Sequence, residues 1–196
     1  MAALQHLPAA QRAVLILRDV LGFSGEETAD VLGLTPTAVY SSLQRAHRSV
    51  AARRPPVSQQ ATLRSCGDAG VATLAGRYAD AWERGDVDAI VSMLTADAAF
   101  TMPPYSLWFR GRAAIAEFLA HRPLSGELRE RWRMLPTRAN GQLAFGSYLW
   151  DEDAGSHLAH SLSILTLDVD GASIAEVTVF LSDTSFPGLG LPARVA

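Results

Sequence analysis

Six residues of one short segment could read nucleic acid. Thr37, Tyr40, Ser41, Gln44, Arg45 and Arg48 recur at helical spacing. An amide and guanidinium groups on one helix face can reach base edges, while hydroxyls and further arginines hold phosphates. A second set suits a small molecule. Met102, Tyr105, Trp108, Tyr148 and Trp150 are soft or aromatic residues near expected strand ends. They can line a pocket or form ordinary core. Arg110 and Thr178 are its candidate polar members, with Arg110 equally suited to a surface ion pair. In an enzyme, Glu176 would be the proton-transfer group beside Arg110, because burial against aromatics raises a carboxyl pKa. Thr178 falls on the same strand face as Glu176. His157 and His160 are three apart on an expected strand and so face opposite sides, which argues against a metal site. The "DED" at 151–153 reads as a solvated turn. No nucleophile–base set is visible, and no cofactor is expected.

These residues need elements to hold them. "LPAAQRAVLILRDVLG" predicts a first helix, with Pro8 in its first turn and Gly22 at its end. Ser24 and Glu27 form a capping box for a second helix to about Leu32. A third, capped by Thr35, runs from about Pro36 to Ala52. Ala29 falls where two helices cross, Gly33 at the turn where positive φ is required, and Val39 packs the third helix onto the second. "RRPPVSQQATLRSCGDAG" breaks the pattern with prolines, polar residues and glycines, and predicts a linker. Beyond it come three helical stretches, including "VDAIVSML" and "RAAIAEFLAH", and then strand-like runs through "LAFGSYLW", "SHLAHSLSILTLDV" and "SIAEVTVFLS". Helices followed by a meander indicate an α+β fold. The expected division is a helix-turn-helix domain at 1–54, a linker at 55–67 and an α+β domain at 68–196.

Charge follows this division. The net charge is −3 over 196 residues. Residues 1–55 carry six Arg against four acids, and residues 67–196 carry ten Arg against sixteen acids. A small basic module before a larger acidic one points to nucleic-acid contact by the first. No apolar run reaches the roughly 20 residues of a membrane span. No signal peptide is visible, and Cys66 stands alone, so a cytoplasmic protein with no membrane contact and no intramolecular disulfide is expected.

The segment "LPAAQRAVLILRDVLGFSGEETADVLGLTPTAVYSSLQRAHRSV" resembles region 4 of extracytoplasmic-function (ECF) sigma factors. That resemblance implies recognition of the −35 promoter element and docking on the β-flap of core RNA polymerase. His47 departs from it, standing where the family usually has a second Arg. "LAGRYADAWERGDVDAIVSMLTADAAFTMPP", "YSLWFRGRAAIAEFL" and "TRANGQLAFGSYLW" resemble SnoaL-like domains of the nuclear-transport-factor-2-like fold. That fold is a cone: a curved antiparallel sheet wrapped by helices, with a pocket at its mouth. Relatives include cyclases, isomerases, epoxide hydrolases and regulatory domains fused to ECF sigma factors. The resemblance therefore implies a sigma-factor-like transcription regulator with a ligand-sensing or autoregulatory domain. The alternative is an enzyme acting on a polyketide- or terpenoid-like molecule, carrying a vestigial region 4. An apolar ligand and a homodimer through the SnoaL-like domain are further expectations. Region 2 of sigma factors has no counterpart in residues 1–7, so the chain is expected to be either a piece of a longer one or a protein unable to start transcription alone.

Overall fold

The computed structural model describes residues 7–53 and 57–196. They belong to two units, divided between Pro56 and Val57. Residues 1–6, and residues 54–56 at the expected domain boundary, lie outside the described residues.

In the first unit, helix α1 (Ala9–Leu15) continues as a π-helical turn over Ile16–Val20. The Leu21 N–H donates to the Ile16 carbonyl, five residues back, at 3.0 Å. Periodicity alone predicts a plain helix here. Helix α2 (Gly25–Leu32) carries the expected capping box. The Glu27 N–H donates to Ser24 Oγ at 3.1 Å, and the Ser24 N–H donates to Glu27 Oε2 at 2.7 Å. Gly33 ends α2 at φ 64°, the left-handed conformation expected for it. Thr35 caps helix α3 (Pro36–Arg53), its Oγ1 accepting from the Ala38 N–H at 3.2 Å. Val14, Ala29 and Val39 form one small core cluster; Leu7, Leu15 and Ala46 form another.

The second unit opens with helix α4 (Gln59–Glu83). This corrects the expected linker at 55–67, most of which is helical. Ser58 caps the helix, with its side chain accepting from the Ala61 N–H. Gln59 is bound to the sheet: it donates to the Leu167 carbonyl at 2.8 Å and accepts from the Leu167 N–H at 2.7 Å. The glycine that looked like a loop residue is a kink instead. Gly67 sits at φ 67°, ψ 162° inside α4, a region open essentially to glycine alone.

Helix α5 (Val87–Ser92), strands β1 (Leu94–Thr101) and β2 (Trp108–Arg110) and helix α6 (Arg112–His121) follow. Then come β3 (Trp132–Ala139), β4 (Gln142–Asp151), β5 (Ser156–Leu167), β6 (Ile174–Phe180) and a short β7 (Arg194–Val195). The sheet order is β2-β1-β6-β5-β4-β3, with β7 added beside β5. The α+β class stands, but the sheet is mixed rather than antiparallel, because β1 and β6 run parallel. Turn signals report only neighbouring strands, and these two are far apart in sequence.

The two sheet faces differ. Tyr78 and Trp82 of α4, with Ile115 and Leu119 of α6, pack with Phe100, Phe145, Leu165 and Val177 of the sheet. This is the inner face. On the outer face the C-terminal segment places Phe186 and Leu191 over Ala144, Tyr148 and Leu162. No described helix is long and apolar enough to cross a membrane.

Candidate functional site

The first unit presents its polar residues on α3. Thr37, Tyr40, Gln44, Arg45 and Arg48 are exposed, and Ser41 is half-buried. Local bonds steady the arginines: Arg45 Nη2 donates to Ser42 Oγ at 3.1 Å, and Arg48 Nε donates to the Gln44 carbonyl at 3.4 Å. Tyr40 is less free than its exposure suggests. The Arg18 guanidinium lies 5.9 Å from its ring centroid. A side chain at Gly25 would meet the Tyr40 hydroxyl at 2.7 Å. His47 is exposed but not without a partner. Its Nε2 lies 2.6 Å from Asp19 Oδ2, so it ties α3 to the π-helical turn. That longer reach, 28 residues apart, has no signature in the sequence.

The second unit has a cavity of about 60 Å³ on the inner face. Trp82, Phe100, Met102, Phe118, Trp132 and Val179 line it, with Pro123 and Leu181. The polar lining is Ser147, Ser161, Ser163 and His160. Ser147 and Ser161 sit opposite each other across β4 and β5, and Ser163 lies two residues along the same face. A register irregularity follows Ser147, where Ala159 rather than His160 pairs with Tyr148. His160 is the extra residue, and its ring stands edge-on to Trp132 at 5.1 Å. Desolvation holds its imidazole below the ordinary range, favouring the neutral form.

Most of the expected pocket residues lie elsewhere. Met102 lines the cavity, but Tyr105 and Trp108 are 58% and 68% exposed and do not. Thr101 pairs with Trp108 and Ala99 with Arg110, which puts Trp108 and Arg110 on the outer face. Thr178 is there as well, bonded to Thr101 Oγ1 at 3.3 Å. Tyr148 and Trp150 do share a face, but it is the wrong one. The Tyr148 hydroxyl donates to the Pro192 carbonyl at 2.9 Å, holding the C-terminal segment. Trp150 packs against His157 with centroids 5.0 Å apart. Strand alternation predicts which residues share a face; the side that the helices cover is a tertiary property.

Glu176 is corrected too. It is half-buried on the outer face beside Thr178 and is not among the cavity residues. The acid–base role envisaged for it with Arg110 is therefore gone. The cavity is also too small for a polyketide- or terpenoid-sized molecule, since drug-sized ligands need roughly 300–1,000 Å³. A larger groove of about 540 Å³ lies between α4 and the edge strand β3, but it is open and lined mainly by small apolar residues such as Ala72, Ala75 and Gly76. The serines had a sequence signal: in "HSLSILTL", Ser161 and Ser163 continue the face that deeper in carries Leu165 and Leu167.

Known proteins resemble both units. Residues 1–49 match the family described as sigma-70, region 4. Residues 75–177 match the SnoaL-like domain family. The ECF RNA polymerase sigma factor SigG of Mycobacterium tuberculosis, in two strains, is 38% identical over 191 residues, covering 97% of this chain and 50% of the relative. The chain thus spans about half the length of the curated relatives it matches. The crystal structure of the Mycobacterium tuberculosis extracytoplasmic function sigma factor SigJ is 22% identical with a TM-score of 0.54, covering 97% of this chain and 65% of that one. At that identity the likeness speaks to fold alone.

Proposed function

We propose a function from one premise: the chain belongs to the SnoaL-like domain family through residues 75–177 and carries a sigma-70 region 4 through residues 1–49. The protein acts in transcription as a sigma-factor-like regulator. Its first unit contacts −35 promoter DNA and the β-flap of RNA polymerase. Its second unit is a sensing or autoregulatory domain. One observation carries the reading: α3 exposes Thr37, Gln44, Arg45 and Arg48 together while Val39 and Ala46 on its other side are buried. That is how a recognition helix meets a major groove. The exposed apolar residues Val20, Leu21, Val31 and Leu34 on the same unit suit a protein partner. SigG, of which this chain matches half, is itself named an RNA polymerase sigma factor.

Direct binding to promoter duplexes tests the reading. The chain is expected to prefer a duplex containing its −35 element over a scrambled one. Arg45→Ala should cost about 1–3 kcal/mol on the preferred duplex if Arg45 touches a base edge. Equal, weak binding to both duplexes by the intact chain would reject promoter recognition.

A further inference from the structure

We propose that the inner-face cavity of the second unit binds a small uncharged molecule with a short apolar body and one oxygen-bearing head, the head hydrogen-bonded by Ser147, Ser161 and Ser163. The proposal rests on the sensing role given above to the SnoaL-like unit and names the ligand class for it.

Size sets the first limit. A cavity of about 60 Å³ holds on the order of four water-sized probes, since one needs roughly 10–15 Å³. A molecule of about four to six non-hydrogen atoms fits. Walls set the second. Trp82, Phe100, Phe118, Trp132 and Val179 offer apolar and aromatic surface, which favours a hydrocarbon body over water.

The serines set the third. Their relative exposures are 3% for Ser147, 4% for Ser161 and 2% for Ser163. All three residues line the cavity. Three serines facing a space otherwise lined by apolar groups and the His160 ring offer donors and acceptors to a polar group brought in from outside. Each hydroxyl can both donate and accept, which matches a carbonyl or a hydroxyl head.

Charge sets the fourth. No cavity-lining residue is Arg, Asp or Glu. An ionic head would lose its water with no counter-charge to replace it.

The test uses the whole chain and short probes: 1-butanol and 2-butanone, with butyrate as the charged counterpart and cyclopentane as the apolar one. Indole N–H signals give the readout, because Trp82 and Trp132 line the cavity while Trp108 and Trp150 do not. The alcohol and ketone should shift the Trp82 and Trp132 signals saturably and leave Trp108 and Trp150 in place. Butyrate should not bind. Ser161→Ala and Ser163→Ala should each weaken binding several-fold. Ser163→Val, which replaces the hydroxyl by two methyl groups and narrows the cavity, should weaken binding more than Ser163→Ala while the unfolding midpoint is kept or raised. No saturable shift with either neutral probe overturns the proposal. So does binding that ignores the serine substitutions or matches that of cyclopentane, which would leave the serines holding water only. DNA binding is measured separately. Its loss with probe binding intact would sink the regulatory reading and spare the site; the reverse would sink the site alone.

Discussion

The two units put their chemistry in opposite places. The first is a thin helical unit whose core clusters are small, with Val14, Ala29 and Val39 in one and Leu7, Leu15 and Ala46 in the other. Its polar chemistry stands outside, on one helix. The second unit surrounds its candidate site with core. Trp82, Phe100, Met102, Trp132 and Val179 are at once members of the main apolar cluster and lining of the cavity. A surface site built on one helix can be changed residue by residue at little structural cost. A site inside a core is coupled to stability.

The largest effect should therefore come from the second core. Phe145 is fully buried, with its ring centroid 5.1 Å from that of Tyr78. Phe145→Ala should cost about 3–5 kcal/mol. Tryptophan fluorescence is the natural probe, because Trp82, Trp108, Trp132 and Trp150 all lie in the second unit. A cost below about 1 kcal/mol would show that the core is not organised around this aromatic contact.

The first unit should respond to a cap. Ser24→Ala removes one half of the capping box and should cost about 1 kcal/mol of helix stability. Far-UV circular dichroism should register this with the tryptophan transition unmoved. A shift of the tryptophan transition instead would blur the contrast between the units.

A smaller effect separates Tyr148 from the cavity. Tyr148→Phe should cost roughly 0.5–1.5 kcal/mol by removing the bond to the Pro192 carbonyl. It should leave binding of 2-butanone unchanged. Weakened probe binding in this variant would return Tyr148 to the pocket.

The smallest expected effect is on pH dependence. Desolvation first, and the positive charge of Arg133 second, hold His157 below its ordinary value of 6.5. Desolvation does the same to His160. Each base thus takes up a proton more readily when unfolded. The second unit should be fully stable above about pH 6.5 and lose stability as pH falls below it, towards the lowered folded values. Urea midpoints by tryptophan fluorescence at pH 7.5 and 5.5 check this. His157→Asn should flatten the dependence, and an unchanged slope would remove His157 from the account.

What could be read from sequence follows the same contrast. In the first unit, Ser24, Glu27, Ala29, Gly33 and Val39 act within a turn or two of their partners, and local spacing reveals them. The Asp19–His47 contact joins separate elements and left no mark. In the second unit the segments "VDAIVSML" and "RAAIAEFLAH" were legible as helices because periodicity is local. The cavity was not, because α4, β1, α6, β3, β4, β5 and β6 all contribute to it. Alternation pairs Tyr148 with Trp150 and Glu176 with Thr178, but which face the helices cover is settled by tertiary packing. The parallel β1–β6 pairing is long-range as well, and no hairpin signal announces it.

The central claim is that α3 of the first unit meets DNA, and a salt titration tests it most directly. Affinity for duplex DNA is measured between about 50 and 200 mM salt for the intact chain and for Arg48→Ala. If Arg48 holds a phosphate, the logarithmic slope should become shallower by about one unit in the variant, with affinity falling evenly across sequences. A chain without salt-dependent affinity for DNA, or a variant whose slope and affinity match those of the parent, would contradict the assignment of α3 as the DNA-reading element.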